Sequence, residues 1–226
     1  MAGLNLGGRD KALWAVLLAL CVVNAVMYAF AVYPALPQTV PTHWGASGSV
    51  DGWGDKSTSL FLAVMPLMIL GVMYLLPRID PKGRNFESFK GVYQGFAAGL
   101  VLFFTVLSWM VPLTVLGVLP EDGPAVTYLV CAALGILLAV LGACMPRIEP
   151  NYTFGVRLPW TVASERNWRR THRFAGPVFV VMGVCTAALG LVAPIAPEVF
   201  AFGLLALLFG GTAFIALYSY VVWRRG

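Results

Sequence analysis

The sequence predicts an all-α polytopic membrane bundle of about six transmembrane helices, with both termini cytoplasmic. Composition is the first observation. The 226 residues are 59% hydrophobic and 11% charged, with a mean hydropathy of +0.81. A soluble domain runs at roughly 45–50% apolar and about 25% charged. The second is six intervals free of Asp, Glu, Lys and Arg: 12–50, 57–77, 91–120, 123–146, 174–197 and 199–223. Each reaches the ~20 residues that cross a hydrocarbon core. The third is charge distribution. Fourteen of the fifteen Lys and Arg fall on one side of this six-span pattern, and only Lys56 falls on the other. The positive-inside rule makes the rich side cytoplasmic. The chain is therefore expected as a multi-pass protein of the cell (plasma) membrane. Disordered, collagen-like and soluble globular classes are excluded. Topology accounts for the net charge of +5 and the pI near 9.2, so no direct nucleic-acid partner is expected.

Trimmed by turn residues, the intervals predict helices near 12–33, 59–77, 93–117, 124–145, 174–194 and 199–223. Backbone groups in lipid must be satisfied internally, and the apolar runs are continuous instead of alternating, so helices are expected over barrel strands. An alternative concerns the first span. Arg9 and Lys11 precede an apolar run, and Ala29-Phe30-Ala31 resembles a signal-peptidase site. Cleavage there would leave five helices, although the run is longer than the usual leader core. Pro66 and Pro112 are candidate kinks. Gly95-x-x-x-Gly99, and Gly135 with Gly142, are candidate close helix contacts. Two parts are expected. Residues 1–90 hold a helix pair joined by a Pro/Gly/Trp-rich extracytoplasmic loop, 34–58. Residues 91–226 hold four helices with a cytoplasmic loop, 146–173.

The segment Leu76-Pro77-Arg78-Ile79-Asp80-Pro81 echoes as Met145-Pro146-Arg147-Ile148-Glu149-Pro150, at the ends of two helices running the same way. A worn duplication and simple helix termination both explain it. Pro cannot continue a helix, and Arg suits its C-terminal end.

Two loops carry candidate function. In the outer one, Pro34, Pro37 and Pro41 stiffen the entry, and four glycines between Gly45 and Gly54 permit tight turns. His43, Asp51 and Asp55 are expected to converge there beside Trp44 and Trp53. The loop reads either as an outward recognition surface or as a small cap whose tryptophans anchor at the interface. The inner loop reads either as a docking surface for a cytosolic protein or as basic residues resting on anionic head groups. Ser164 and Glu165 are expected to begin a short helix on the membrane, with Trp160 and Trp168 at the interface.

Catalytic signatures are missing. There is no H-E-x-x-H, P-loop or G-x-S-x-G. His43 and His172 fall on opposite sides and cannot share a metal. Thr171 beside His172 lacks a carboxylate to orient the ring. Cys21, Cys131, Cys144 and Cys185 all lie in apolar stretches and read as free thiols. No catalytic residue, metal or cofactor is expected. No charged residue sits deep in a span, which counts against an ion-coupled transporter. A small-molecule or peptide transporter or exporter remains the alternative.

The outer segment Leu36-Pro37-x-x-Val40-Pro41-x-His43-Trp44-x-x-x-Gly48-x-x-Asp51-x-Trp53-Gly54-x-Lys56 resembles the N-terminal domain of the SdpI family of bacterial membrane proteins. The inner segment Pro150-Asn151-x-x-x-Gly155-x-Arg157-x-Pro159-Trp160-Thr161, followed by Trp168-x-x-Thr171-His172-Arg173, resembles that family's second signature. One departure is a sparse extracytoplasmic connection between spans three and four. The resemblance implies protection of the producing cell against a secreted, membrane-active toxic peptide. It also implies signalling, in which a cytosolic repressor of the ArsR type is held at the membrane. Membrane lipids are the remaining expected partner. On this reading His43, Trp44, Asp51, Trp53 and Lys56 are the outer toxin contacts. Asn151, Gly155, Arg157, Pro159, Trp160, Thr161, Trp168, Thr171, His172 and Arg173 form the inner docking signature.

Overall fold

The computed structural model describes residues 6–226. Six helices long and apolar enough to cross a membrane run up and down between two ends. The first, α1 (Gly8–Met27), continues through a wide π-type turn, Tyr28–Val32. An antiparallel hairpin follows, β1 (Thr39–Trp44) and β2 (Val50–Asp55). Next come α2 (Ser57–Ile79), a tight helical turn at Gly83–Phe89, α3 (Lys90–Ser108) and the short α4 (Met110–Val115). The second half holds α5 (Ala125–Cys144), the one-turn α6 (Pro159–Val162), α7 (Glu165–Val192) and α8 (Pro197–Arg224).

All six expected spans are present, with two departures. The third breaks at Trp109. Pro112 has no N–H to give the Ser108 carbonyl, and its ring crowds that turn. The fifth begins at Glu165, nine residues before its charge-free interval. There is thus no separate short helix lying on the membrane. The Ser164 side chain does cap the helix, accepting from the Asn167 N–H, but the helix it starts runs unbroken through residue 192. Trp168 is correspondingly not interfacial. It is fully buried, stacked on His172 and hydrogen-bonded to the Ile148 carbonyl of the segment that precedes α6.

The helices pack as two sheaves, α1–α2–α3 and α5–α7–α8, joined where α3 meets α5. The α5–α7 contact is the closest. Gly135 and Gly142 on α5 face Gly183 and Gly176 on α7. A Cβ at Gly183 would stand 2.4 Å from the Gly135 carbonyl oxygen, and one at Gly142 would stand 2.6 Å from that of Gly176. Seven-residue spacing keeps such glycines on one helix face. Lipid gives no hydrophobic drive between helices, so backbone proximity supplies the packing. The Gly95/Gly99 pair does not act this way. A Cβ at Gly95 meets nothing within 4 Å, and one at Gly99 meets only the Leu137 side chain.

The main buried cluster lies toward the end that carries the termini. It draws Trp14 and Leu17 from α1, Met73 from α2, Phe86 and Phe89 from the tight turn, Tyr93 from α3, and Trp168 from α7. Large apolar side chains such as Phe202, Phe209 and Ile136 point outward, as expected of surfaces that face acyl chains.

Candidate functional site

At the hairpin end, the expected recognition residues separate into two kinds. The second strand alternates, so Asp51, Trp53 and Asp55 share its exposed face. His43 lies across the strand pair from Gly52, and its Nδ1 is paired with the Asp51 carboxylate. A Cβ at Gly52 would fall 2.8 Å from the His43 Cβ, so glycine makes room for the imidazole. Trp53 is 52% exposed. These three residues form an open acidic and aromatic face.

The other two are turned inward. Trp44 packs on the buried cluster of Tyr28, Leu36, Val40, Ala63 and Val111. Lys56 lies 4.7 Å from the Tyr33 ring centroid and donates to the carbonyls of Tyr33 and Leu36, at 3.5 and 3.3 Å. It closes the C-terminal end of the first span, where backbone carbonyls lack partners. Asp55 does not join His43 and Asp51 as expected. It sits at the root of the hairpin, accepting from Gln38 at 2.6 Å and from the Ser57 N–H at 2.8 Å. The Ser57 N–H, more than any other contact, holds its carboxyl below the usual carboxylate range.

The hairpin is strapped down at its tip. Gly48 takes φ +93°, and a Cβ there would meet the Gly123 carbonyl oxygen at 2.5 Å. The Val50 N–H donates to the Glu121 carbonyl at 2.8 Å, and the Gly123 N–H to Ser49 Oγ at 3.3 Å. The short connection between α4 and α5 is therefore the hairpin's seat.

At the opposite end, the second signature folds into a closed polar knot. The Asn151 side chain accepts from the N–H groups of Thr153 and Phe154, at 3.0 and 2.6 Å, which bends the chain. Gly155 then turns with φ +109°, and a Cβ there would strike His172 Nε2 at 2.5 Å. The next N–H, of Val156, donates to that same Nε2 at 3.1 Å. His172 Nδ1 donates to the Trp168 carbonyl at 2.9 Å. One nitrogen accepts and the other donates, so this ring is the neutral Nδ1–H tautomer. It stacks on Trp168 at 4.1 Å, and the Trp168 indole donates to the Ile148 carbonyl at 2.7 Å. Thr161 Oγ1 accepts from the Leu158 N–H at 2.8 Å and donates to the Val156 carbonyl at 2.9 Å. Pro159 supplies the first residue of α6. Thr171 donates to Asn167 Oδ1 at 2.9 Å, away from His172, so the two make no base–nucleophile pair.

Asn151, Thr161, Trp168, Thr171 and His172 are therefore buried, with their polar atoms satisfied inside the protein. Trp160 is half-buried. It donates to Ser219 Oγ at 2.8 Å and lies against Tyr220 and Trp223 of α8. Only Arg157 and Arg173 among the signature side chains are exposed with charge. Arg157 donates to the Tyr152 carbonyl at 2.8 Å.

Three members of the knot went unrecognised in the sequence. Asp80 is 6% exposed. It accepts from the N–H groups of Lys82 and Tyr152, at 2.7 and 2.8 Å, and from Thr153 Oγ1 at 2.8 Å. Asn85 donates to the Pro150 carbonyl at 2.7 Å. Ser219 bridges Trp160 and the Ala216 carbonyl. For Asp80 a signal was available. It is the acid of the first echoed segment, and it binds the backbone just beyond the second. The second copy's acid, Glu149, instead stands 3.7 Å from Arg169. Nothing in an apolar run singles out Ser219.

Among the described residues no group of His, Cys, Asp and Glu is arranged to hold a metal. The four cysteines are free.

Comparison with known proteins matches these two regions. Residues 147–220, the knot with α7 and most of α8, match the SdpI/YfhL protein family. Residues 19–70, the later part of the first span, the hairpin and the first half of α2, match a domain of unknown function, DUF1648. The chain is 24% identical over 157 residues to the protein named Immunity protein SdpI of Bacillus subtilis (strain 168), covering 70% of this chain and 72% of that one. No solved structure matches. This multi-pass membrane protein thus carries a match to the SdpI/YfhL family over the knot, α7 and most of α8, and is similar to an immunity protein over most of its length.

Proposed function

We propose that this protein is a membrane immunity protein. It protects the cell that makes it from a secreted, membrane-active toxic peptide met at the hairpin end. The observation that carries this reading is the similarity to Immunity protein SdpI over 70% of the chain. The orientation follows the charges: with the Lys/Arg-rich end cytoplasmic, the hairpin faces outward. The exposed trio His43, Asp51 and Trp53 then supplies the recognition face. It offers an aromatic plane and a carboxylate on a hairpin anchored at both root and tip, which lowers the ordering cost of binding. Trp44 and Lys56 act behind it by holding the hairpin in place.

The test expresses the protein in sensitive bacterial cells and follows membrane potential after adding a panel of membrane-active peptides. Wild type is compared with His43→Ala, Asp51→Ala and Trp53→Ala at matched membrane levels. The His43–Asp51 pair is exposed, so its loss costs at most about 1 kcal/mol of stability. Potential preserved in wild type and lost in these variants supports the reading. Full protection by all three variants overturns the hairpin as the recognition face. Failure of wild type to protect, together with measured flux of a solute, overturns immunity in favour of transport.

A further inference from the structure

Eight exposed positions of α7 form one stripe along its length: Arg166, Arg170, Arg173, Pro177, Val181, Val184, Ala188 and Leu191; Glu165 and Arg169, also exposed, lie to one side of its lower end. The spacings of three and four residues keep them on a single face. The upper part of that stripe is apolar and turned out of the protein, so it contacts acyl chains. Its lower part is three arginines standing where the same surface leaves the hydrocarbon. A helix N-terminus is the wrong place for such residues. The macrodipole disfavours cations in the first turns, and like charges three or four apart repel. Four arginines nevertheless fall within the first nine residues of α7.

Their local partners do not explain them. Arg169 points to Glu149 and Glu165, at 3.7 and 4.0 Å. Arg166 donates to the Gly226 carbonyl. Arg170 and Arg173 have no acidic partner among the described residues. The cluster encloses an open cavity of about 370 Å³ lined by Glu165, Arg166, Arg169, Arg170 and Arg173. At the end of α8, Trp160, Tyr220 and Trp223 pack against one another edge-on and tilted, the belt that amphipathic rings form at head-group depth.

We infer that Arg170 and Arg173, with Arg166, form a binding site for the phosphodiester head group of an anionic phospholipid. The acyl chains of that lipid lie along Val181, Val184 and Leu191. Guanidinium forks match phosphate oxygens in pairs. The bound anion neutralises the like-charge cluster and offsets its conflict with the helix dipole. Sidedness alone requires cations at this end of the chain. It does not require them on the lipid-facing stripe of one helix.

The test uses the purified full chain in nanodiscs and in detergent. Lipids retained on the protein are measured by native mass spectrometry, with phosphatidylglycerol and phosphatidylcholine as probes. Arg170→Gln with Arg173→Gln is compared with a charge-matched control, Arg84→Gln with Arg147→Gln, both exposed at the same end but outside α7. Elution profile and thermal unfolding report folding. A surface arginine near an anionic head group is worth about fivefold in affinity, so two predict a loss of about twenty- to thirtyfold in phosphatidylglycerol preference. That loss in the α7 variant alone supports the site. An equal loss in the control, or undiminished preference in the α7 variant, overturns it. Displacement of the lipid by millimolar inorganic phosphate also overturns it, because the site then serves a free anion.

Discussion

Replacing Gly183 by alanine places one methyl group at the tightest crossing in the bundle. The new Cβ would lie 2.4 Å from the Gly135 carbonyl oxygen and 2.7 Å from the Ala139 nitrogen. Carbon–oxygen contacts begin near ~3.3 Å, so α5 and α7 must separate by about 0.9 Å there. Both obstructing atoms are backbone, and no side chain can rotate aside. The separation also loosens the neighbouring Gly142–Gly176 contact, where a gap of 0.5–1 Å forfeits roughly a quarter to a half of each dispersion contact. Overpacking of this kind costs about 1–3 kcal/mol. At about 2–4 °C per kcal/mol for a chain of this size, a drop of roughly 6–12 °C is expected for a backbone clash at the upper end of that range. The assay is thermal unfolding in detergent, followed by tryptophan fluorescence. Gly95→Ala is the matched control, because nothing lies within 4 Å of its Cβ. Alanine there is neutral, or stabilising by up to ~1 kcal/mol through helix propensity. Equal unfolding temperatures for the two variants would refute the backbone-to-backbone crossing.

Substitutions at two residues probe the polar knot. Asp80→Ala removes the acceptor of three hydrogen bonds and leaves buried donors behind, so a loss of about 2–3 kcal/mol is expected. Asp80→Asn should recover part of this, and a thermal scan showing no difference between Ala and wild type would count against Asp80 as a brace of the knot. His172→Ala orphans the Val156 N–H and opens a cavity beside Trp168, for a cost of about 3 kcal/mol. Limited trypsin digestion should then cut faster after Arg157. An unchanged cleavage rate would show that His172 does not hold that segment.

The hairpin and the knot differ in how far they were legible. Prolines and glycines marked the outer segment as stiff and sharply turned, but not as a two-stranded sheet. Its strands are only six residues each, β2 alone alternates, and β1 is interrupted by irregular pairing near His43. The cluster expected of His43, Asp51 and Asp55 formed only in part. Strand pairing sets Asp55 at the far end of the hairpin, against Gln38 and Ser57. In the inner segment, charge marked residues 166–173 as lying outside the membrane. The Ser164 cap, a local signal, marked where a helix begins, but charge could not reveal that this helix runs on into the fifth span, because charged residues are good helix formers and do not end it.

Six apolar runs, their lengths and the one-sided cations determined by themselves that this chain is a six-span membrane bundle. Those properties depend on transfer between water and hydrocarbon, which each segment undergoes independently. The tertiary structure alone decided which polar residues are presented and which are consumed. Asp80 meets Tyr152, and Trp160 meets Ser219, across long stretches of chain, and no local pattern encodes such pairs. A buried polar group must find a partner wherever packing brings one. For that reason the signature around His172 became an internal brace, while His43, Asp51 and Trp53 were left on the surface.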